Sequence, residues 1–306
     1  MEPTEREPAA QGHDEAWLAE RFEDHRAHLR AVAYRMLGSL PEAEDAVQDT
    51  WLRLNRTERS EIDNLGAWLT TVTARVCLNL LRSRNTRREE SLGAHLPDPV
   101  ITADRASQPE DEAVLADSVS LALLVVLDSL APAERLAFVL HDLFALPFEA
   151  IAPMVGRSPA AARQLASRAR RRVQDAAVPQ PDPDRGRQRA VVDAFYAAAR
   201  GGEFDALVAL LHPDVVLRSD FGGRRLASVI RGARAVAEQA RLGAVPGAEI
   251  HPVRVNGLVG AVITVRRRAF AVMAFTVVDG RIAEIDAIAD PERVRRAAGA
   301  VLSSED

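Results

Sequence analysis

The chain has 306 residues, of which 47% are hydrophobic and 27% are charged. This length suits two or three domains, and the composition excludes a wholly disordered chain. The formal net charge of -5 argues against a uniformly basic surface that coats nucleic acid. A local basic patch is still compatible with that sum, so the distribution of charge matters more than the total.

The N-terminus and the cysteine content indicate the compartment. Residues 1–15 are polar and acidic and contain no apolar signal segment, and we predict that they are disordered. Cys77 is the only cysteine, so an intramolecular disulfide is excluded, and its apolar helical surroundings predict a buried side chain. The longest apolar stretch, residues 121–127, is too short to cross a membrane. We therefore expect a cytoplasmic protein without a membrane partner.

Residues 16–90 show apolar side chains at helical spacing, which predicts a bundle of about four helices. An acidic helix in this block carries Asp45, Gln48 and Asp49. Carboxylates one turn apart could serve acid–base catalysis or bind a metal, but no histidine supports them here. A surface that docks a partner, or a plain solvated face, is the favoured interpretation.

The last helix of the block mixes aromatic, amide and basic side chains. Such a surface can stack on exposed bases and follow a single-stranded backbone. Trp68 could equally belong to a core, by its size and its apolar spacing. The candidate residues are Trp68, Arg75, Asn79, Arg82 and Arg84.

Two proline-containing stretches divide the chain. Residues 91–111 include Pro97, Pro99 and Pro109 among acidic and small residues, which predicts a linker or extended segment. A second helical block covers residues 112–177. The sequence VPQPDPDRG at residues 178–186 predicts a second linker.

Residues 146–173 predict a helix-turn-helix. Residues 148–155 form the short first helix, Gly156 supplies the turn, Ser158 is a suitable N-cap and Pro159 occupies the first helical position. In the second helix an apolar stripe is predicted at Ala162, Leu165, Ala169 and Val173.

The second helix of this unit is basic, and no acidic residue lies between Arg157 and Gln174. An ordinary helical hairpin with a solvated basic face is the alternative. The coincidence of turn, cap, apolar stripe and acid-free face favours DNA binding, with base edges and phosphates contacted from this helix. The candidate residues are Arg157, Ser158, Arg163, Gln164, Ser167, Arg168 and Arg171.

Residues 187–290 have a different pattern, in which two helices precede five β-rich runs. Val278, Asp279 and Gly280 mark a hairpin turn between the last two runs. This pattern predicts an α+β domain with a curved antiparallel sheet. Residues 291–306 are predicted to be a C-terminal tail.

The stretches GSLPEAEDAVQDTWLRL and LGAWLTTVTARVCLNLLRSR, followed by the helix-turn-helix, closely resemble an extracytoplasmic-function (ECF) RNA polymerase sigma factor. The resemblance implies an all-α sigma-2 domain at residues 16–90 and an all-α sigma-4 domain at residues 112–177. It implies two partners, promoter DNA and core RNA polymerase, the latter contacted at the clamp of β′ and the flap of β. It assigns Asp45, Gln48 and Asp49 to the clamp, Arg75 and Asn79 to the −10 element, and Arg163, Gln164 and Arg168 to the −35 element.

Residues 187–290 resemble a cone-shaped SnoaL-like (NTF2-like) domain, which is fused to a subgroup of these sigma factors that includes the SigJ type. A Trp-Leu-Pro-Glu-Pro linker motif corresponds to residues 95–99, with His95 in place of Trp. An Asp-Gly-Gly-Gly-Lys loop corresponds to residues 220–224, and an Asn-Pro-Asp-Lys-Leu segment to residues 290–294. The resemblance implies that this domain modulates sigma activity through Leu96, Pro97, Asp98, Pro99, Asp220, Gly222, Gly223, Arg224, Asp290 and Pro291. A plain solvent-exposed hairpin loop is the alternative for residues 220–224.

Cone-shaped domains enclose a pocket, and many relatives of this kind hydrolyse or isomerise small molecules. The candidate acid–base residues are His212, Asp214, Asp220, His251 and Asp286. No spacing among them indicates a nucleophile or a metal site, and a helix-to-strand turn explains the first two. We predict no enzyme activity, no cofactor and no metal, with a small ligand of the pocket as a candidate partner. The alternative is a small-molecule enzyme or ligand sensor with an accessory DNA-binding region.

Overall fold

The structure, a computed structural model, describes residues 8–58, 60, 62–88, 96–103, 120–222 and 228–302. The first unit consists of helices α1 (Pro8–Leu37), α2 (Leu40–Leu54) and α3 (Leu65–Arg88). The sequence predicted about four helices in this unit, but the structure describes three. The reason is that Pro8–Leu37 forms a single unbroken helix. Residues 8–15, predicted to be disordered, are helical, while residues 1–7 lie outside the described part.

The second unit contains helices α4 (Leu121–Asp128), α5 (Pro132–Phe138), α6 (Phe148–Val155) and α7 (Pro159–Asp175), with a π-helical turn at Val139–Leu143. The predicted helix-turn-helix is confirmed. Gly156 adopts a left-handed φ of 67°, which glycine tolerates without a steric penalty. The Ser158 hydroxyl accepts a hydrogen bond from the Ala161 amide at 3.3 Å, so it caps α7 as predicted.

The third unit is α+β, as predicted. Its helices are α8 (Arg185–Gly201), α9 (Phe204–Leu210), α10 (Ala233–Leu242) and α11 (Pro291–Leu302). Its strands are β2 (Leu211–Asp220), β3 (Ser228–Arg231), β4 (Ala248–Val255), β5 (Leu258–Val265), β6 (Arg268–Val278) and β7 (Arg281–Ile288). Strand β3 and helix α10 were not predicted from the sequence. The segment predicted to be a C-terminal tail forms α11 through residue 302. The predicted hairpin turn between β6 and β7 is confirmed, with positive φ at Asp279 and Gly280.

A seventh strand, β1 (Ile101–Ala103), comes from the predicted linker 91–111. The sheet order is β1-β4-β5-β6-β7-β2-β3, and all neighbours are antiparallel except β2 and β7. Strand β1 pairs with β4, with Ile101 opposite Val255. The linker thus completes the edge of a sheet that lies far downstream in the chain.

The two faces of the curved sheet belong to two different cores. Leu217, Phe275 and Ile285 face the inside of the cone and pack with α8, α9 and α10. On the opposite face, buried side chains including Val272 and Ile288 join one continuous core with both helical units and the linker. The three units are consequently held together by a shared hydrophobic core.

Candidate nucleic-acid interface and interdomain contacts

Helix α7 presents one face to the protein and another to solvent. Its buried side chains are Ala162, Ala166 and Ala169, small residues that allow close approach to neighbouring helices. The predicted stripe missed Ala166, and Leu165 and Val173 are only half-buried. The exposed face carries Arg163, Gln164, Arg168 and Arg171, with Ser167 half-buried beside them, and the turn before the helix exposes Arg157. This face is open to solvent, so its guanidinium groups can approach a phosphate backbone.

Several basic side chains of this helix also contact protein groups. Arg163 lies over the Phe148 ring, 5.2 Å from its centroid, which orients the guanidinium at the start of the helix. Arg168 forms an ion pair with Glu134 at 3.3 Å. Arg170, which was not a candidate, donates two hydrogen bonds to Asp142 at 2.8 and 3.1 Å. A bidentate pair of this kind anchors α7 to the π-helical turn.

Helix α3 places four of its five candidate residues on one side, at helical spacing. Arg75, Asn79 and Arg82 are exposed, and Trp68 is half-buried against the core of the first unit. Arg84 differs, because its guanidinium donates to Glu42 at 3.2 Å and to the Leu37 carbonyl at 3.0 Å. Its observed contacts therefore tie α3 to α1 and α2.

The acidic candidates lie on helix α2. Asp45 and Gln48 are exposed, one helical turn apart. Asp49 is half-buried and accepts two hydrogen bonds from Arg53, at 3.0 and 3.2 Å. The three side chains form a continuous polar surface that a partner could contact.

The third domain contacts the linker through the buried side chain of Arg293, which is 9% exposed. Its guanidinium donates to Asp98 Oδ1 at 2.7 Å, Asp220 Oδ2 at 2.7 Å and the Leu96 carbonyl at 2.6 Å. Asp220 also accepts from the Leu96 amide at 2.9 Å. One guanidinium therefore bridges two carboxylates, one from the linker and one from the sheet.

Asp98 continues this network into the first helical unit. Its Oδ2 accepts from the Leu40 amide at 3.0 Å, at the start of α2, where the helix dipole favours a carboxylate. Its own amide donates to the Gly38 carbonyl at 2.8 Å, and its carbonyl accepts from the Tyr34 hydroxyl at 2.6 Å.

Asn256, at the turn between β4 and β5, forms a second contact with the linker. Its amide donates to the Val100 carbonyl at 2.8 Å, and its Oδ1 accepts from the Val100 amide at 3.0 Å. Its Nδ2 donates to the Tyr34 hydroxyl at 2.9 Å. Burial raises the pKa of Tyr34, so this hydroxyl remains a neutral donor and acceptor. Asp98, Asp220, Asn256 and Arg293 are called the latch below.

Most predicted regulatory residues meet at the latch. Leu96, Pro97, Asp98 and Pro99 are buried there, and Asp290 caps α11, which begins at Pro291, by accepting from the Arg293 amide at 2.8 Å. Gly222 donates to Asp220 at 3.0 Å, and a Cβ at this position would collide with Asp290. His95, Gly223 and Arg224 lie outside the described residues. Sequence reasoning did not select Tyr34, Asn256 or Arg293, although Arg293 belongs to the segment that supplied Asp290.

The candidate acid–base residues do not converge. The Asp214 amide donates to the His212 ring at 3.2 Å near the start of β2. His251 contacts the Thr264 hydroxyl at 3.0 Å. Asp220 belongs to the latch, and Asp286 accepts from Arg218 at 3.1 Å on the outer face of the sheet. Within the described ranges, no group of three or more His, Cys, Asp or Glu side chains is arranged to hold a metal ion.

Asp286 gives a pH-dependent prediction. Burial raises its pKa from an ordinary value of 3.8 to about 6, although Arg218 opposes the shift. A carboxyl group whose pKa is higher in the folded state binds more protons when folded. This group therefore favours folding at low pH, and the contribution is lost as the pH rises to about 6. In Asp286→Asn we expect this component of the pH dependence to vanish.

Urea unfolding of both proteins at intervals between pH 4 and pH 7 would measure this effect. The unfolding free energy of the wild type, relative to that of Asp286→Asn, should fall as the pH rises. Parallel profiles for the two proteins would contradict the prediction.

Comparison with known proteins agrees with this architecture. Residues 21–87 match the model of Sigma-70 region 2, and residues 120–173 match that of Sigma-70, region 4. The chain is 41% identical over 288 residues to the ECF RNA polymerase sigma factor SigJ of Mycobacterium tuberculosis, covering 89% of this chain and 91% of that protein. This chain belongs to the ECF sigma factors.

The crystal structure of M. tuberculosis SigJ is similar along nearly the whole length of this ECF sigma factor. The TM-score is 0.71 at 37% sequence identity, and the match covers 90% of this chain and 97% of that chain. The similarity extends beyond regions 2 and 4 and includes the third, SnoaL-like domain. Among the helices that the structure describes, none has the length and apolar character needed to cross a bilayer.

Proposed function

We propose that this sigma factor binds core RNA polymerase, recognises a two-part promoter and opens its −10 element, and that its third domain modulates this activity. The observation that carries the proposal is the presence, in one chain, of a region 2 bundle and a region 4 helix-turn-helix whose basic helix faces solvent. The exposed Asp45 and Gln48, with Asp49, are the proposed contacts for the β′ clamp. The second unit, which carries region 4, is the proposed partner of the β flap.

In vitro transcription tests the central proposal. Core polymerase is expected to produce promoter-specific transcripts from a promoter library only when the protein is added. Transcription that stays at the level of core enzyme across the library would refute the proposal.

The exposed Arg75, Asn79 and Arg82, with Trp68 partly exposed beside them, are the proposed contacts for the −10 element.

Individual side chains of α7 should have separable effects on DNA recognition. Arg163→Ala or Gln164→Ala is expected to relax preference at one base position by about 1–3 kcal/mol, because a side chain that reads a base edge discriminates between bases. Arg171→Ala is expected to weaken binding to all sequences and flatten its salt dependence, because a phosphate contact carries no sequence information. Binding assays on −35 variants at several salt concentrations distinguish the two. Equal losses on every sequence for Arg163→Ala would contradict its base-reading role.

Modulation by the third domain is supported by the closed arrangement of the domains. Regions 2 and 4 share a core in this structure. The −10 and −35 elements are, by their names, about 25 base pairs apart, or roughly 85 Å at ~3.4 Å per base pair. Both elements can be bound together only after the two regions separate. The latch fixes the linker that would have to extend between them, so we propose that the latched state is the less active one.

We also propose that the chain catalyses no reaction. The local pairing of His212 and the outward position of Asp286 support this view. The alternative, a small-molecule enzyme with an accessory DNA-binding region, predicts that a chain ending after Asp175 loses its function. A sigma factor should instead retain polymerase binding after this truncation, with altered activity.

A further inference from the structure

The inside of the cone contains an apolar cavity of about 210 Å³. Phe195, Leu217, Ile263, Met273 and Ile285 are among the side chains that line it. This volume lies just below the ~300–1,000 Å³ typical of pockets for drug-sized ligands, so the cavity suits a smaller molecule. Its walls come from α8, α10 and five strands, so the space is part of the domain's own fold.

The charge of the lining restricts the ligand further. The described residues that line the cavity include no aspartate, glutamate or histidine, and the exposed Arg200 is the one formally charged residue among them. Water screens that guanidinium, so it offers an anion little stabilisation. The other polar groups are neutral, at Tyr196, Ser219 and Gln239. Burial also raises the pKa of the Tyr196 phenol, which keeps it uncharged.

The cavity and the latch share two short segments of chain. Ser219 and Phe221 line the cavity, and Asp220 between them is bound to Arg293 on the other side of the sheet. Ala289 also lines the cavity, and its amide donates to the Asp220 carbonyl at 2.7 Å. A molecule in the cavity would therefore contact residues directly bonded to the latch.

We propose that the cavity binds an uncharged, largely apolar small molecule, and that this molecule stabilises the latched state. The second half rests on the proposed function of the third domain. Ser219, Phe221 and Ala289 adjoin the latch, so its opening is expected to displace this part of the cavity wall. A molecule that fits the cavity of the latched structure then binds that state more tightly and shifts the population toward it. By linkage, core polymerase must weaken the binding of the molecule by the same factor by which the molecule weakens the binding of polymerase.

Two naphthalene derivatives of similar size test the ligand class on the full chain. 2-Acetylnaphthalene is neutral and has one hydrogen-bond acceptor, whereas 2-naphthoate is an anion. Equilibrium dialysis is expected to show one binding site for 2-acetylnaphthalene, with an affinity at least tenfold higher than that for 2-naphthoate. Tighter binding of 2-naphthoate, or no saturable binding of the neutral probe, would overturn the proposed class.

A cavity-filling variant tests the location. Ala287 lies in the cavity wall on β7, so Ala287→Leu should occupy the space and reduce the affinity for 2-acetylnaphthalene at least tenfold. Ala194→Leu makes the same change at an exposed position of α8 and should retain the wild-type affinity. Circular dichroism of both variants checks that they are folded. Unchanged binding by a folded Ala287→Leu would place the ligand elsewhere and refute the site.

The coupling to the latch is tested separately. Saturating core polymerase is expected to weaken 2-acetylnaphthalene binding at least threefold, and the probe should lower promoter-specific transcription by the wild type but not by Ala287→Leu. Equal probe affinity with and without polymerase would refute the coupling and leave the ligand site standing. Failure of the wild type to direct any promoter-specific transcription would instead refute the proposed function, whatever the dialysis shows.

Discussion

Arg293→Ala is expected to release the linker from the third domain and to raise promoter-specific transcription several-fold. The substitution leaves the carboxylates of Asp98 and Asp220 without the cation that both now contact at 2.7 Å. Removing one partner of a buried ionic group costs ~3–5 kcal/mol, because the remaining buried charge loses its counterion. The closed arrangement should bear most of that cost, since Arg293 joins the linker to α11 and β2.

Amide hydrogen exchange and run-off transcription together measure this effect. Exchange should accelerate at Leu40 and Leu96, whose amides donate to the two carboxylates. Arg296→Ala is the matched control, because Arg296 lies on the same helix, is 48% exposed and pairs with Glu292 one turn away. Arg293→Ala that behaves like this control in both assays would show that the latch does not restrain the protein.

Arg135→Ala is expected to separate the two helical units and to lower the free energy of unfolding by ~3–5 kcal/mol, through the loss of a buried guanidinium. Arg135 lies in the last turn of α5 and is 2% exposed. It donates to the Arg35 carbonyl of α1 at 3.2 and 3.3 Å, and to Asp128 at 3.2 Å. Without it, the carbonyl at the end of α1 and the carboxylate of Asp128 both lose a charged donor.

Urea unfolding and small-angle X-ray scattering test this prediction. The radius of gyration should increase in Arg135→Ala, whereas Arg172→Ala, which removes an arginine that is 54% exposed, should leave it unchanged. Arg135→Met fills the volume without the charge, so it should restore packing within the second unit but not the hydrogen bonds to α1. A compact Arg135→Ala protein of wild-type stability would contradict the assigned role.

The parts of the fold that could be predicted from sequence are local. The helix-turn-helix follows from residues within about ten positions of each other, since Gly156, Ser158 and Pro159 each fix the backbone by their own chemistry. The exposed faces of α2 and α3 follow from helical periodicity in the same way. The order of domains came from resemblance, and the matches to regions 2 and 4 agree with it.

The parts that escaped prediction depend on distant residues. Three residues are too few to be predicted as a strand from their own sequence. Strand β1 can therefore be recognised only from its pairing with β4. The role of Arg293 could not be predicted from its neighbours in a polar C-terminal segment, because its partner Asp98 lies 195 positions away in sequence. Arg84 was selected as a DNA contact for its charge, a role that stays a prediction, and its hydrogen bonds to Glu42 and the Leu37 carbonyl could not be read from the sequence.

Strand β1 is synthesised long before β4, the strand with which it pairs. Both helical units are complete at Asp175, but strand β4 and the residues that hold the linker, Asp220, Asn256 and Arg293, are translated later. The 118 residues from Ala176 to Arg293 take about 6–24 s to make at ~5–20 residues per second. Throughout that interval the nascent chain contains both helical units but not all the residues that form the latch. The latch can form only after α11, which carries Arg293, has left the ribosome.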